Sequence, residues 1–170
     1  MKPSIAHSFG GRVLRWLGEP ARAALCERGF LWGVATMLVV TAGLKLAAGF
    51  GEPGALPGRE KVFGVPMQPW SIGAALAELA TVGLVVVAPD RGAAMQVVRF
   101  FFATLLGYRL LFHWSGGGYC GCLGTLLARS PWQGQEGLLL GGIALACFAT
   151  NELLLGSRRF RQRHGGGGRP

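Results

Sequence analysis

Cys120 and Cys122, separated by a single glycine, are the residues whose type and spacing point most directly to chemistry. They lie in Ser-Gly-Gly-Gly-Tyr-Cys-Gly-Cys-Leu-Gly, between two strongly apolar segments. Alpha carbons two residues apart reach the bridgeable range of about 4.4–6.8 Å only where the backbone bends. Gly121 permits that bend, and Gly116 to Gly118 loosen the approach. A staple of this kind adds little stability, because the entropic gain from a disulfide grows with the loop it closes. Strained, exposed disulfides have more oxidising potentials and tend to be labile or catalytic. Thiol–disulfide exchange is therefore preferred over two other uses of the pair. One is a plain structural bridge; the other is a zinc or Cu(I) site completed by His113, for which only three ligands are evident. No resident metal is expected. Cys26 and Cys147 read as inert small residues.

Five charged residues fall inside apolar segments, where charge is costly and a functional role is the default reading, and three of them, Lys45, Glu78 and Arg109, lie together in depth. Glu78 is near the midpoint of its segment. Lys45 and Arg109 lie roughly 7 and 9 Å from the middle of theirs, at a rise of about 1.5 Å per residue. All three belong to the half of the molecule beneath the Cys120–Cys122 loop. A lone carboxylate at that depth takes up a proton or finds a cation, so Glu78 is expected to pair with Lys45 or Arg109. The remaining cation then favours a thiolate nearby, with His113 as proton acceptor or donor. Alternatively, Lys45 and Arg109 reach to the headgroups and serve as anchors. Anchoring is also the expected role of Arg99 and Glu152.

The elements that position these groups follow from composition. The chain has 170 residues, 51% hydrophobic and only 15% charged, and its mean hydropathy is +0.39. A soluble domain carries about 25% charged residues. Four windows reach the roughly 20 apolar residues needed to cross a bilayer: 30–50, 70–88, 93–112 and 137–155. Pro89, Asp90, Arg91 and Gly92 form a tight turn that makes the second and third an antiparallel hairpin. The expected fold is all-α, a four-transmembrane-helix bundle with both termini cytoplasmic. Orientation follows from the basic residues outside the spans. Eleven fall on the side of the termini and of Arg91, against Arg59, Lys61 and Arg129 on the other. That places loops 51–69 and 113–136 outside, the second carrying the cysteines. Trp32 at the inner end of span one, and Trp70, Trp114 and Trp132 near the outer boundary, agree with this direction.

Three parts are delimited: a basic N-terminal segment 1–29, the helical domain 30–155, and a basic, glycine-rich tail 156–170. The segment 12–28 reads either as a basic helix on anionic headgroups, interrupted at Pro20, or as a solvated arm. The first span is too long for a signal peptide and is expected to be retained. The tail is expected to have no fixed structure. Gly33, Gly43, Gly73, Gly83, Gly137 and Gly141 suggest close helix contacts. The formal charge of +9 is set by the membrane-flanking ends, so nucleic acid is not an expected partner.

Gly43-Leu44-Lys45-Leu46 in the first helix, Ala77-Glu78-Leu79 in the second and Cys120-Gly121-Cys122-Leu123-Gly124 before the fourth resemble the MauE/DoxX redox-associated membrane proteins. The resemblance spans residues 30–155, and Leu123 stands where that family more often has Phe. It implies a bacterial inner-membrane protein of the type tied to methylamine metabolism, where MauE is associated with disulfide formation in the periplasmic methylamine dehydrogenase small subunit. A periplasmic thioredoxin-like protein or a disulfide-bonded client is the implied partner. The layout also resembles four-helix quinone-linked disulfide-forming enzymes, although Cys-x-Cys differs from their Cys-x-x-Cys and no second loop pair is present.

The expected function is that of a membrane thiol–disulfide redox protein, a possible thiol–disulfide oxidoreductase. Its site would comprise Cys120, Cys122, Lys45, Glu78, Arg109 and His113. A quinone near Glu78 and Lys45 is a conceivable electron carrier that no sequence feature demonstrates. The alternative is a non-enzymatic membrane subunit or small-solute carrier built on the Lys45–Glu78–Arg109 cluster.

Overall fold

The computed structural model describes residues 20–50, 60, 62–116 and 136–165. Four helices account for almost all of them: α1 (Pro20–Gly49), α2 (Met67–Val87), α3 (Arg91–Trp114) and α4 (Glu136–Gly165). Each contains a stretch long and apolar enough to cross a membrane. Their flanks are greasy as well as their cores: Leu76, Val87, Phe100, Leu110 and Leu145 are all more than half exposed. Apolar residues on every face of a helix suit a lipid surround, where nothing is gained by hiding them from the solvent. The fold is all-α, as expected, with four membrane-length helices and no strand among the described residues.

Two helix limits depart from expectation. α1 runs from Pro20, whose missing N–H and fixed φ suit a first helical position, so residues 20–28 are continuous with the span, while residues 12–19 of the expected surface helix or arm lie outside the described residues. Residues 22–28 are thus the first turns of the span, with Ala23 and Glu27 buried. At the other end, α4 continues ten residues past Leu155, through part of what was expected to be an unstructured tail. Ser157 is buried there, and the Arg158 guanidinium lies 4.0 Å from carboxylate oxygens of both Glu27 and Asp90. Asp90 caps α3, accepting from the backbone N–H groups of Gly92 and Ala93. Arg91 reaches the Ala24 carbonyl at 3.4 Å. The start of α1, the α2–α3 turn and the last turns of α4 therefore share one end of the bundle, the terminus end. The opposite, loop end carries the finish of α1, the start of α2 and the finish of α3.

The core is a band of large side chains drawn from three helices. Val34 and Leu38 of α1, Val98 and Phe102 of α3 and Ala144 of α4 are buried together, with Cys147 packed against them. Nearer the terminus end, Met95, Leu154 and Leu155 form a second cluster that Cys26 flanks. Cys26 and Cys147 are both free thiols, each half-buried. Polar pairs fasten α4 to α3: Asn151 donates to the Met95 carbonyl at 3.2 Å, and Arg99 meets Glu152 at 2.6 Å. Arg99 and Glu152, both expected to act as anchors, lie paired with each other.

The glycines correct another expectation. A methyl group added at Gly33, Gly43, Gly73, Gly83 or Gly141 would meet nothing within 4 Å among the described residues, so these glycines line no tight contact there; the surroundings of Gly137 lie outside the described residues. Close approach occurs instead at Gly49, where such a carbon would sit 2.6 Å from Cγ1 of Ile72. That contact lets α1 and α2 converge at the loop end.

Candidate functional site

The α1–α2 seam is a polar ladder between two otherwise apolar helices. Gln68 donates to the Gly49 carbonyl at 2.7 Å, and one turn deeper the Ser71 hydroxyl faces the Lys45 carbonyl at 3.5 Å. Deeper still, the Lys45 ammonium donates to Oε1 of Glu78. The Thr41 hydroxyl donates to the other oxygen of the same carboxylate at 3.0 Å. The rungs recur about once per turn because α2 turns one face toward α1, burying Met67, Ser71, Ala75, Glu78 and Thr81 at intervals of three or four residues. Lys45 and Glu78 have side chains only 9% exposed, so the pair is largely buried between the helices. In so apolar a setting a single charge would be costly, and mutual pairing is what allows both to be buried.

Of the two cations considered for Glu78, Lys45 takes the place. Arg109 is half-buried in the second-last turn of α3 and makes no ion pair with Glu78. His113 is exposed in the last turn of that helix. Cys120 and Cys122 lie outside the described residues, as does the structural side of the zinc or Cu(I) alternative that uses them. Among the described residues no group of three metal-ligating side chains occurs.

Lys45 and Glu78 also line a cavity of about 760 Å³ that opens between α2 and α3 on the flank of the bundle. Its walls are almost wholly apolar, from Ala74, Ala77 and Leu84 of α2 to Phe100, Phe101 and Leu105 of α3. Toward the loop end the wall becomes aromatic. Phe63 and Trp70 have ring centroids 5.3 Å apart, Trp70 and Tyr108 5.5 Å, and Phe63 lies nearly parallel to Tyr108 at 6.5 Å.

Glu60 holds that aromatic end together, and sequence reasoning missed it. It is fully buried. Its carboxylate accepts from the Tyr108 hydroxyl at 3.0 Å and from the backbone N–H groups of Val62 and Phe63 at 2.9 and 2.6 Å. Backbone bonds from Glu60 N–H to the Val65 carbonyl and from Gly64 N–H to the Glu60 carbonyl close the turn. Gly64 supplies the positive φ, +67°, that the closure requires. A carboxylate followed four residues later by glycine was the available signal. Between Arg59 and Lys61, however, Glu60 looked like one member of a solvated charge cluster.

The site is thus a charge pair in the wall of an apolar cleft, roofed by three aromatic rings and a buried carboxylate. The chain leaves that same end at Gly116 on its way to Cys120 and Cys122. Comparison with protein-family models, curated proteins and solved structures gives no match to this chain.

Proposed function

We propose that this protein is a multi-pass membrane thiol–disulfide redox protein of MauE/DoxX type, with Cys120 and Cys122 as its exchanging pair. The observation that carries the reading is a juxtaposition. A buried Lys45–Glu78 pair lines an apolar cleft, and the helix flanking that cleft leads within a few residues into Cys-Gly-Cys. Neither feature serves stability: a buried ion pair is a poor stabiliser beside well-packed apolar residues, and a disulfide across one residue closes almost no loop. Both are of use to chemistry.

In this reading the loop end faces the periplasm, the termini face the cytoplasm and the bilayer is the bacterial inner membrane. The 11-to-3 distribution of basic residues supports that direction. A client thiolate attacks one sulfur of the Cys120–Cys122 disulfide and forms a mixed disulfide, releasing the other cysteine as thiolate. A second client thiolate then attacks the client sulfur of the mixed bond. The client leaves oxidised, and Cys120 and Cys122 are left as the reduced pair. A thioredoxin-like periplasmic disulfide, or a quinone in the membrane, takes the two electrons that reset them.

Thiol trapping in intact cells tests the reading. A membrane-impermeant alkylating reagent should label Cys120 and Cys122 only after mild reduction. Cys122→Ser should accumulate a mixed disulfide with a periplasmic protein, resolved by reductant on a gel. A pair that is permanently reduced, or a double Ser variant that keeps its cellular role while Glu78→Gln loses it, would favour the carrier alternative instead.

A further inference from the structure

We infer that the outer face of the α3–α4 seam packs against a second copy of this chain, the two-fold axis running along the membrane normal. Arg99 and Glu152 of both copies then close a ring of four alternating charges. Within one chain the two face each other at 2.6 Å, yet their side chains stay 40% and 34% exposed. At a rise of about 1.5 Å per residue, Arg99 lies roughly 12 Å into α3 from Arg91, and Glu152 roughly 10 Å before Arg159 in α4. Both fall within the stretches long and apolar enough to cross a membrane. A charge open to hydrocarbon there is costly, and pairing within one chain leaves the outer side of each group bare. The Lys45–Glu78 pair shows the contrast, with side chains only 9% exposed. Whatever covers Arg99 and Glu152 must bring an opposite charge to each of them at one depth.

A second copy does this without coincidence. In a two-fold pair one patch meets itself, so that residue i touches j while j touches i. An axis along the normal holds Arg99 and Glu152 of both copies at the same depth. Each guanidinium then has a carboxylate on either side, and like charges stand diagonally across the ring. An unrelated helix would need an acid and a base of its own at that depth.

The face around the charges admits close approach. On α3, Ala103 and Leu110 share the outer side of Arg99, at intervals of four and seven residues. On α4, Leu145, Ala149 and Gly156 share that of Glu152. Leu110 and Leu145 are 71% and 59% exposed, and Ala103 and Ala149 are exposed as well. A methyl group added at Gly142 or Gly156 would meet nothing within 4 Å among the described residues. Gly142, Ala149 and Gly156 are spaced by seven, the interval of a left-handed helix pair. Small residues at that interval let helix backbones come near enough for a side chain as short as that of Glu152 to reach across. This surface is separate from the cleft that Lys45 and Glu78 line, and it stands whatever the cysteines do.

The test uses the full chain with one fluorophore at its C-terminus, reconstituted into liposomes and counted by single-molecule photobleaching. The parent should bleach in two steps and fall to one step only on dilution in lipid. Ala149→Phe, which thickens the exposed strip and leaves the bundle interior untouched, should weaken pairing about tenfold or more, the lower end of what overpacking costs. Leu76→Phe, on the exposed flank of α2, should leave pairing unchanged. The charges supply a second readout. Arg99→Glu makes the patch wholly acidic and Glu152→Arg makes it wholly basic, so each variant should remain single by itself. Reconstituted together, with donor and acceptor labels, the two should pair and show energy transfer. That cross-pairing separates a ring between copies from a bond that only fastens α3 to α4. If either charge variant does not fold, Ala149→Phe set against Leu76→Phe still decides. A parent that bleaches in one step at every density would overturn the interface, as would pairing that Ala149→Phe and Leu76→Phe weaken alike. Folded charge variants that do not cross-pair would overturn the ring.

Discussion

The Tyr108 hydroxyl donates to Oε1 of Glu60 across 3.0 Å, tying the turn that precedes α2 to the closing turns of α3, 48 residues away. The same carboxylate receives the backbone N–H groups of Val62 and Phe63, so one side chain folds the turn and docks it. Glu60→Ala removes a fully buried carboxylate on which three part-buried donors, those of Tyr108, Val62 and Phe63, converge. Because Phe63 is 59% exposed, its backbone donor can find another partner, so the variant should lose about 1–3 kcal/mol, the cost of about one buried unsatisfied group. Tyr108→Phe removes one bond to a charged acceptor and should lose about 1.5 kcal/mol. Unfolding in mixed micelles measures both. A Glu60→Ala loss below about 0.5 kcal/mol, the scale of a surface substitution, would show that the turn does not depend on this carboxylate.

The Lys45–Glu78 pair makes a different kind of demand on stability. Glu78→Leu leaves the Lys45 ammonium without its acceptor in an apolar wall, and breaking a buried pair in this way costs about 3–5 kcal/mol. Adding Lys45→Met removes the stranded charge, and the double variant should recover most of the loss. If the two single losses simply add, the residues are not energetically coupled. The recovered double variant is also the protein in which to assay function, since any lost activity there reflects the missing charges rather than a damaged fold.

Much of this arrangement was legible in the sequence for a simple reason: crossing a bilayer needs about 20 apolar residues, and few other requirements write themselves so plainly. The same rule made Lys45 and Glu78 conspicuous and their pairing predictable, because depth can be counted along a helix. Glu60 was illegible because its burial depends on a turn folding over α3, a long-range event no local pattern records. The spaced glycines misled in the opposite sense. Gly33, Gly43, Gly73, Gly83 and Gly141 meet no neighbour within 4 Å, and the helices converge instead at Gly49 against Ile72. The extension of α4 beyond Leu155 was hidden by the run of arginines, which resembles a solvated tail until Arg158 is seen between Glu27 and Asp90.

The contrast between two glycines of α1 can be measured directly. At Gly49 an added methyl would press on Cγ1 of Ile72, so Gly49→Ala should push α1 from α2 and cost about 1–3 kcal/mol. Ile72→Ala should restore most of that loss when combined with it. At Gly43 the added carbon meets nothing, and Gly43→Ala should be neutral or stabilising by up to about 1 kcal/mol through lower backbone entropy in the unfolded chain. Equal effects at the two positions would mean that close approach at the loop end does not constrain the bundle.

At the terminus end, Asp90 makes stability depend on pH. Its carboxyl is held below the ordinary aspartate range, first by the Ala93 backbone N–H, then by that of Gly92, with a smaller contribution from the Arg158 guanidinium. A carboxylate whose value is depressed on folding stabilises the folded state above the unfolded value, near 3.8. That contribution disappears as pH falls through the lower, folded value. Asp90→Asn should therefore melt below the parent at neutral pH, and the two curves should converge as the medium is acidified well below pH 4. The loss at neutral pH should be smaller in high salt only to the extent that Arg158 contributes, because the capping bonds from Gly92 and Ala93 are short-range and poorly screened. A difference that persists unchanged into strong acid would mean that asparagine disturbs the turn sterically, and that the charge on the cap is not what joins α2 to α3.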